Sequence, residues 1–157
     1  RRIAVIGGDR ETSETSRLRF EGCKMAFAER DIEFDDSRDY QGVRYSSQDG
    51  YRATKALLSA GSEFTAIFAI ADVMAIGAIR ALWESGRRVP EDVSVMGVDG
   101  LPLGEFLVPQ LSTIRQSVRQ MALRSVQILL DMVEDEKKAT HETVPFEGQK
   151  RESIRQI

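Results

Sequence analysis

The chain has 157 residues, 41% of them hydrophobic and 30% charged, with a net charge of −3. These values describe one globular domain with apolar material for a single core, and the interspersed charges of both signs exclude a disordered chain. Lys and Arg total 22 against 25 for Asp and Glu, which excludes the basic excess of a nucleic-acid-binding surface. The single cysteine, Cys23, excludes an internal disulfide and a multi-cysteine zinc site, and fits a reducing compartment. No apolar run approaches the roughly 20 residues of a membrane helix. The opening Arg1-Arg2-Ile3-Ala4-Val5 lacks a methionine and is strand-like from the start, which predicts a piece of a longer polypeptide.

Taken in order, Ile3-Ala4-Val5-Ile6 closed by Gly7-Gly8-Asp9 predicts a buried strand ending in a tight turn. Ser13 to Ser16 offers N-caps for a helix to about Arg30, with Leu18, Cys23, Met25, Ala26 and Phe27 on its apolar face. Asp31 to Asp39 is polar and reads as a loop, followed by a short strand around Tyr40 to Tyr45. Ser46-Ser47 caps a helix to Ala60, in which Ala53, Ala56, Leu57 and Ala60 fall at helical spacing. Thr65 to Ile70 is a continuous apolar strand, and Ala71-Asp72 opens a helix carrying Met74, Ala78, Ile79, Leu82 and Trp83 that stops at Gly86. Val93 to Val98 is a fourth strand, ended by Asp99-Gly100. Strand and helix thus alternate over the first hundred residues, the pattern of a parallel α/β sheet flanked by helices and joined by right-handed crossovers. Beyond it lie a proline-containing loop from Leu101 to Leu111 and a long helix with a Val118, Met121, Ala122, Ser125, Val126, Leu129, Val133 stripe that ends in the Glu134 to Lys138 charge run. Val144-Pro145-Phe146 and Lys150 to Ile157 are extended.

In an open parallel sheet, ligands sit beyond the carboxyl ends of the strands, where loops and helix N-termini converge. That rule nominates Gly7-Gly8-Asp9, Tyr45-Ser46, Ala71-Asp72 and Asp99-Gly100, with Arg19 leaning over the same edge. An arginine facing an aspartate suits a polyhydroxyl ligand, since the guanidinium donates, the carboxylate accepts and an aromatic such as Tyr45 covers the apolar face. Plainer readings stand beside these. Asp72 serves as a helix N-cap, Asp99 as a turn residue, Arg19 as a solvated helix residue and Cys23 as packing. His141, without a second His or a Cys nearby, has no metal role, and Trp83 reads as core or subunit contact. The first strand is not followed by G-x-G-x-x-G, and neither a Walker-type lysine loop nor a G-x-S-x-G elbow occurs, so the residues describe a binding domain rather than an enzyme, with no cofactor and no metal.

The segment from Phe64 to Gln116 resembles the lactose-repressor/galactose-repressor (LacI/GalR) family of bacterial transcription regulators. The resemblance rests on Thr65-Ala66-Ile67-Phe68, on Asp72-Val73-Met74-Ala75-Ile76-Gly77-Ala78 and on Val89-Pro90-Glu91-Asp92-Val93-Ser94-Val95-Met96-Gly97-Val98-Asp99. Pro109 to Gln116, Arg151-Glu152-Ser153 and Arg19 with Gly22 extend it over nearly the whole chain. It implies a type I periplasmic-binding-protein-like fold of two α/β lobes, of which this chain would hold one lobe and a remnant of the second. Residues 1–112 would form the C-terminal lobe, 113–145 would return to the N-terminal lobe and 146–157 would come back. The Val118 to Val133 stripe would then face the other lobe and stand exposed without it. The implied effector-binding residues are Arg19 and Asp99, with Thr15 and Tyr45 lining the pocket. Ala71 stands where the family commonly has an effector-binding asparagine, and Gly100 where a second acidic residue is common. The missing amide favours a larger, more apolar or phosphorylated ligand over an ordinary sugar, or a response through a partner protein. The resemblance further implies a small-molecule effector of the sugar, sugar phosphate or nucleobase class, and operator DNA bound through an N-terminal helix-turn-helix absent from this chain. It also implies a homodimer using the Ala71 to Gly86 helix with Ala78, Leu82 and Trp83, and a cytoplasmic location away from any membrane. The alternatives are a periplasmic sugar-binding protein of a transport system and an enzyme built on a doubly wound sheet.

Overall fold

A computed structural model describes residues 2–135 and 141–155, with the Asp135 side chain left aside. Six strands form one sheet in the order β2-β1-β3-β4-β5-β6: β1 (Ile3–Gly7), β2 (Tyr40–Gly42), β3 (Ala66–Ala69), β4 (Ser94–Asp99), β5 (Ser112–Gln116) and β6 (Phe146–Gln149). The first five run parallel, and β6 pairs antiparallel to β5 with Thr113 opposite Gln149. The predicted α/β alternation is the observed fold.

The helices are α1 (Glu14–Ala28), a single turn α2 (Asp36–Asp39), α3 (Ser47–Ser59), α4 (Asp72–Glu84) and α5 (Val118–Asp135). From β1 the chain crosses outward to β2, then back past β1 to β3. Right-handed crossovers therefore put α1 on one face and α3 and α4 on the other. Ile6, Ile67 and Val95 from one face of the strands meet Leu57, Met74 and Leu82 from α3 and α4 in a fully buried core, while Val5 turns to the α1 face. Gly50 and Gly77 bring α3 and α4 into backbone contact, because a β-carbon on Gly50 would strike the Met74 carbonyl and one on Gly77 the Ser47 carbonyl.

Several local expectations are corrected. On α1 the buried apolar residues are Phe20 and Phe27, with Cys23 half-buried between them, while Leu18 and Met25 face solvent. On α3, Ala53 and Leu57 are buried with Thr54, and Ala56 and Ala60 are exposed. The Asp31 to Asp39 segment contains α2, because Asp35 caps it by accepting from the Ser37 N–H at 2.8 Å. The strand expected to reach Tyr45 stops at Gly42. Pro102–Phe106 forms a 3-10 helix inside the predicted loop. Strand β5 runs in this sheet from Ser112 to Gln116. Residues 136–138 of the Glu134 to Lys138 charge run, and residues 156–157 of the terminal extended piece, lie outside the described residues.

The apolar stripe of α5 is solvent-exposed, with Val118, Met121, Val126, Leu129 and Val133 all outward. After β6 the tail is stitched to the sheet by the buried Ser153. Its hydroxyl donates to the Val95 carbonyl at 2.6 Å and accepts the Ser112 N–H at 2.8 Å.

Candidate functional site

Because β1, β3, β4 and β5 are parallel, their carboxyl ends share one edge of the sheet. The β1–α1 connection turns there. Asp9 accepts from the Glu11 N–H and the Thr12 hydroxyl, both at 2.9 Å, and Ser13 caps α1 by accepting from the Ser16 N–H. Arg19 then projects across the edge. Its Nη1 donates to the Ile70 carbonyl at the end of β3, and its Nη2 donates to Asp99 Oδ1 at 3.3 Å at the end of β4. Gln116, at the end of β5, donates from Nε2 to the same oxygen at 2.8 Å. Asp99 Oδ2 accepts no hydrogen bond among the described residues, and the side chain is 31% exposed, so one carboxylate oxygen faces solvent. The Asp99 backbone sits at φ 124°, and Gly100 follows at φ 78°, the left-handed region that favours glycine.

The other expected residues fall unevenly around this pair. Tyr45 is 42% exposed, and its hydroxyl bonds Ser16 Oγ at 2.9 Å, which fixes the ring over the start of α1. Gly8 passes beneath with no room for a side chain, since a β-carbon would meet Ser16 Oγ and, at 2.7 Å, Tyr45 Cε2. Thr15 is exposed on the first turn of α1, next to Ser16. Ala71 is 2% exposed, and its methyl is part of the core. It is the N-cap of α4 and offers no side-chain hydrogen bond, so this end of the edge presents neither donor nor acceptor from that side chain.

Asp72 is not the cap that its position predicts. It is the first helical residue, is fully buried, and points its carboxylate away from α4's own amides. Oδ1 accepts the Thr113 hydroxyl at 2.6 Å, and Oδ2 accepts the Leu101 N–H at 2.7 Å. Burial pushes this carboxyl above its ordinary range, opposed by the Thr113 hydroxyl and the Leu101 amide, which favour the anion. Gln116 is a residue that sequence reasoning missed, and Asp72, nominated with Ala71 by the strand-end rule, has partners other than the cap's. Gln116 follows from the strand-end rule once β5 is recognised as a strand of this sheet. Asp72 carries no local signal, because its partners are 29 and 41 positions away.

Among the described residues no group of three or more His, Cys, Asp or Glu is placed to hold a metal ion. His141 is exposed, and burial pushes the Cys23 thiol up to about 11. The expected dimer surface is corrected in part. Ala78 and Leu82 are fully buried in the core, whereas Trp83 is 68% exposed with the Arg80 guanidinium over its ring. Trp83, Ile79, Leu107 and Val108 line one surface groove, and Val108 is 93% exposed.

The sheet thus carries Arg19 against Asp99 on its carboxyl edge, the place where open α/β sheets take ligands. The periplasmic binding protein-like domain matches residues 1–154, and the chain belongs to that family. The HTH-type transcriptional repressor PurR of Haemophilus influenzae is 38% identical over 133 residues, which is 85% of this chain and 39% of the relative. Among solved structures, a sugar-binding transcriptional regulator of the LacI family from Escherichia coli, complexed with phosphate, superposes with a TM-score of 0.87 at 32% identity, over 97% of this chain and 54% of its own. The lac repressor dimer bound to operator and the anti-inducer ONPF gives 0.90 at 30% identity, over 98% of this chain and 52% of its own. The resemblance to LacI/GalR regulators read from the Phe64 to Gln116 motifs therefore holds. The chain spans about two-fifths of the length of the curated relatives it matches.

Proposed function

We propose that the chain is the effector-sensing region of a DNA-binding transcriptional repressor, with Arg19 and Asp99 as its principal effector contacts. The observation that carries the reading is the Arg19–Asp99 pair on the sheet edge, with Asp99 Oδ2 open, in a chain whose relatives bear the names of transcriptional repressors. Those names favour a regulator over a periplasmic transport component and over an enzyme. The ligand is small and sugar-like, a sugar phosphate or a nucleobase, held between this lobe and a second one. Arg19 and Gln116 donate, the free Asp99 oxygen accepts and Tyr45 supplies apolar cover, with Thr15 beside it. Ala71 withdraws one polar contact, so the edge near α4 receives an apolar part of the ligand.

Residues 1–112 form the C-terminal lobe. Residues 113–145 carry the chain to the other lobe after β5, where the α5 stripe is covered, and 146–157 come back. A helix-turn-helix outside these residues binds operator DNA, which places the protein in the cytoplasm. Two copies associate through the Trp83, Ile79 and Val108 surface. Effector binding favours one angle between lobes, and in a dimer that angle sets the spacing of two DNA-binding heads against operator half-sites. A thermal-shift screen of the full-length protein against maltose, cellobiose, glucose 6-phosphate and hypoxanthine tests the reading. At least one compound raises the melting temperature of wild type and fails to do so in Arg19→Ala. An Arg19→Ala variant that responds like wild type removes Arg19 from the site.

A further inference from the structure

We propose that Asp72 is the positioning residue for Asp99: its buried carboxylate holds the Asp99-Gly100-Leu101 turn and so sets where the ligand-facing carboxylate points. The inference rests on reading the Arg19–Asp99 edge as the effector site. Both residues after Asp99 are tied to this one group. The Leu101 N–H donates to Asp72 Oδ2 at 2.7 Å, and the Gly100 N–H donates at 3.2 Å to Thr113 Oγ1, whose own hydroxyl donates to Asp72 Oδ1 at 2.6 Å. The strand leading into the turn lies directly against the same group, because a β-carbon on Gly97 would collide with Asp72 Oδ1. Asp72 therefore joins the start of α4, the end of β4 and the middle of β5.

A fully buried carboxylate is a costly way to hold helix and strand together, since apolar packing does so without desolvating a charge. What this carboxylate secures is a turn that ordinary packing does not select: Asp99 at φ 124° persists only where its surroundings over-determine it. Two acceptor oxygens are needed, one for an amide and one for a hydroxyl, and a carboxylate supplies both where a carboxamide supplies one. Asp72 does not reach the solvent-facing edge. It acts through Asp99.

The test is amide hydrogen exchange on 15N-labelled protein, read at Gly100 and Leu101 against Ile67 and Val95 in the sheet. Thr113→Val keeps the shape and removes the hydroxyl, Thr113→Ser restores the hydroxyl, and Asp72→Asn removes one acceptor. Thr113→Val and Asp72→Asn are expected to speed exchange at Gly100 and Leu101 about tenfold or more relative to Ile67 and Val95, with Thr113→Ser close to wild type. Turn amides that stay protected in Thr113→Val, or that rise only in step with the sheet amides, overturn the proposal. So does loss of the whole fold in Thr113→Val, because the contact is then structural throughout. If Asp72→Asn does not fold, the Thr113 pair decides alone. These measurements need no ligand, so failure of the effector reading, seen as an unchanged ligand response in Arg19→Ala, stays separate.

Discussion

Arg19 of α1 and Asp99 of β4, 80 positions apart in sequence, meet at 3.3 Å over the carboxyl edge of the sheet, and Gln116 of β5 bonds the same Asp99 oxygen at 2.8 Å. Two elements, α1 and β5, thus hold one carboxylate by one of its oxygens and leave the other open. Gln116→Ala removes the shorter of the two bonds and lets the carboxylate rotate. Ligand affinity is expected to fall about tenfold, the equivalent of one hydrogen bond to a charged group, with the melting temperature of the unliganded protein nearly unchanged. Isothermal titration of the compound found in the thermal-shift screen measures it. An affinity equal to wild type removes Gln116 from the site.

The turn behind Asp99 separates stability from function. At φ 124° a glycine is less strained than any L-residue, so Asp99→Gly should be more stable than Asp99→Ala by about 1 kcal/mol, while neither responds to ligand. At Gly100 the same preference for glycine holds. A β-carbon there lies 2.6 Å from Arg115 Cγ and 2.8 Å from its Cα at φ 78°, so Gly100→Ala should lose about 1–3 kcal/mol. Urea denaturation midpoints give both numbers, and equal stability of the two Asp99 variants would show that the turn is not strained.

The exposed Trp83 and Val108 define the dimer proposal. Both side chains stand in solvent here, so Trp83→Glu and Val108→Glu cost the isolated lobe little. Light scattering of the full-length protein is expected to report dimers for wild type and monomers for the double variant. A double variant that stays dimeric relocates the interface.

Asp39 gives the pH dependence. It is buried at the end of α2, accepts two bonds from Arg38 at 2.7 and 2.6 Å, and accepts the Asp35 N–H at 3.0 Å. The Arg38 hydrogen bonds hold its carboxyl below the ordinary 3.8, against the opposing effect of burial. A folded-state value below the unfolded one contributes stability that is complete above the unfolded value and lost as pH falls through the folded one. Asp39→Asn should therefore be less stable than wild type at pH 7, by about 1 kcal/mol, with the gap closing below pH 3.8. A gap that persists unchanged at pH 2.5, which is roughly the acid limit of such a window, would assign the loss to packing.

Much of this fold is legible in the residues because strands inside a parallel sheet are near-continuous apolar runs, as Thr65 to Ile70 and Val93 to Val98 are. The chain order of Arg19 and Asp99 is legible too, since the strand-end rule needs only topology. Three things are not. Burial on α4 is misassigned from sequence because that helix is apolar nearly all round, so periodicity alone does not tell the inward Ala78 and Leu82 from the outward Trp83. The α2 turn depends on the Asp35 side chain competing for a backbone amide, which composition reads as loop. Asp72 looks like a cap because the local pattern is a cap's, and only the tertiary placement of Leu101 and Thr113 redirects its carboxylate.

The Arg19–Asp99 edge is the proposed seat of the small molecule that controls operator binding. The most direct measurement is operator affinity of the full-length protein, by fluorescence anisotropy, with and without the compound that stabilises wild type, in wild type and in Asp99→Ala. The expected result is an operator affinity that the compound shifts in wild type and leaves unmoved in Asp99→Ala, with equal affinities for the two proteins in its absence. An Asp99→Ala protein whose operator binding shifts as wild type does would contradict the assignment.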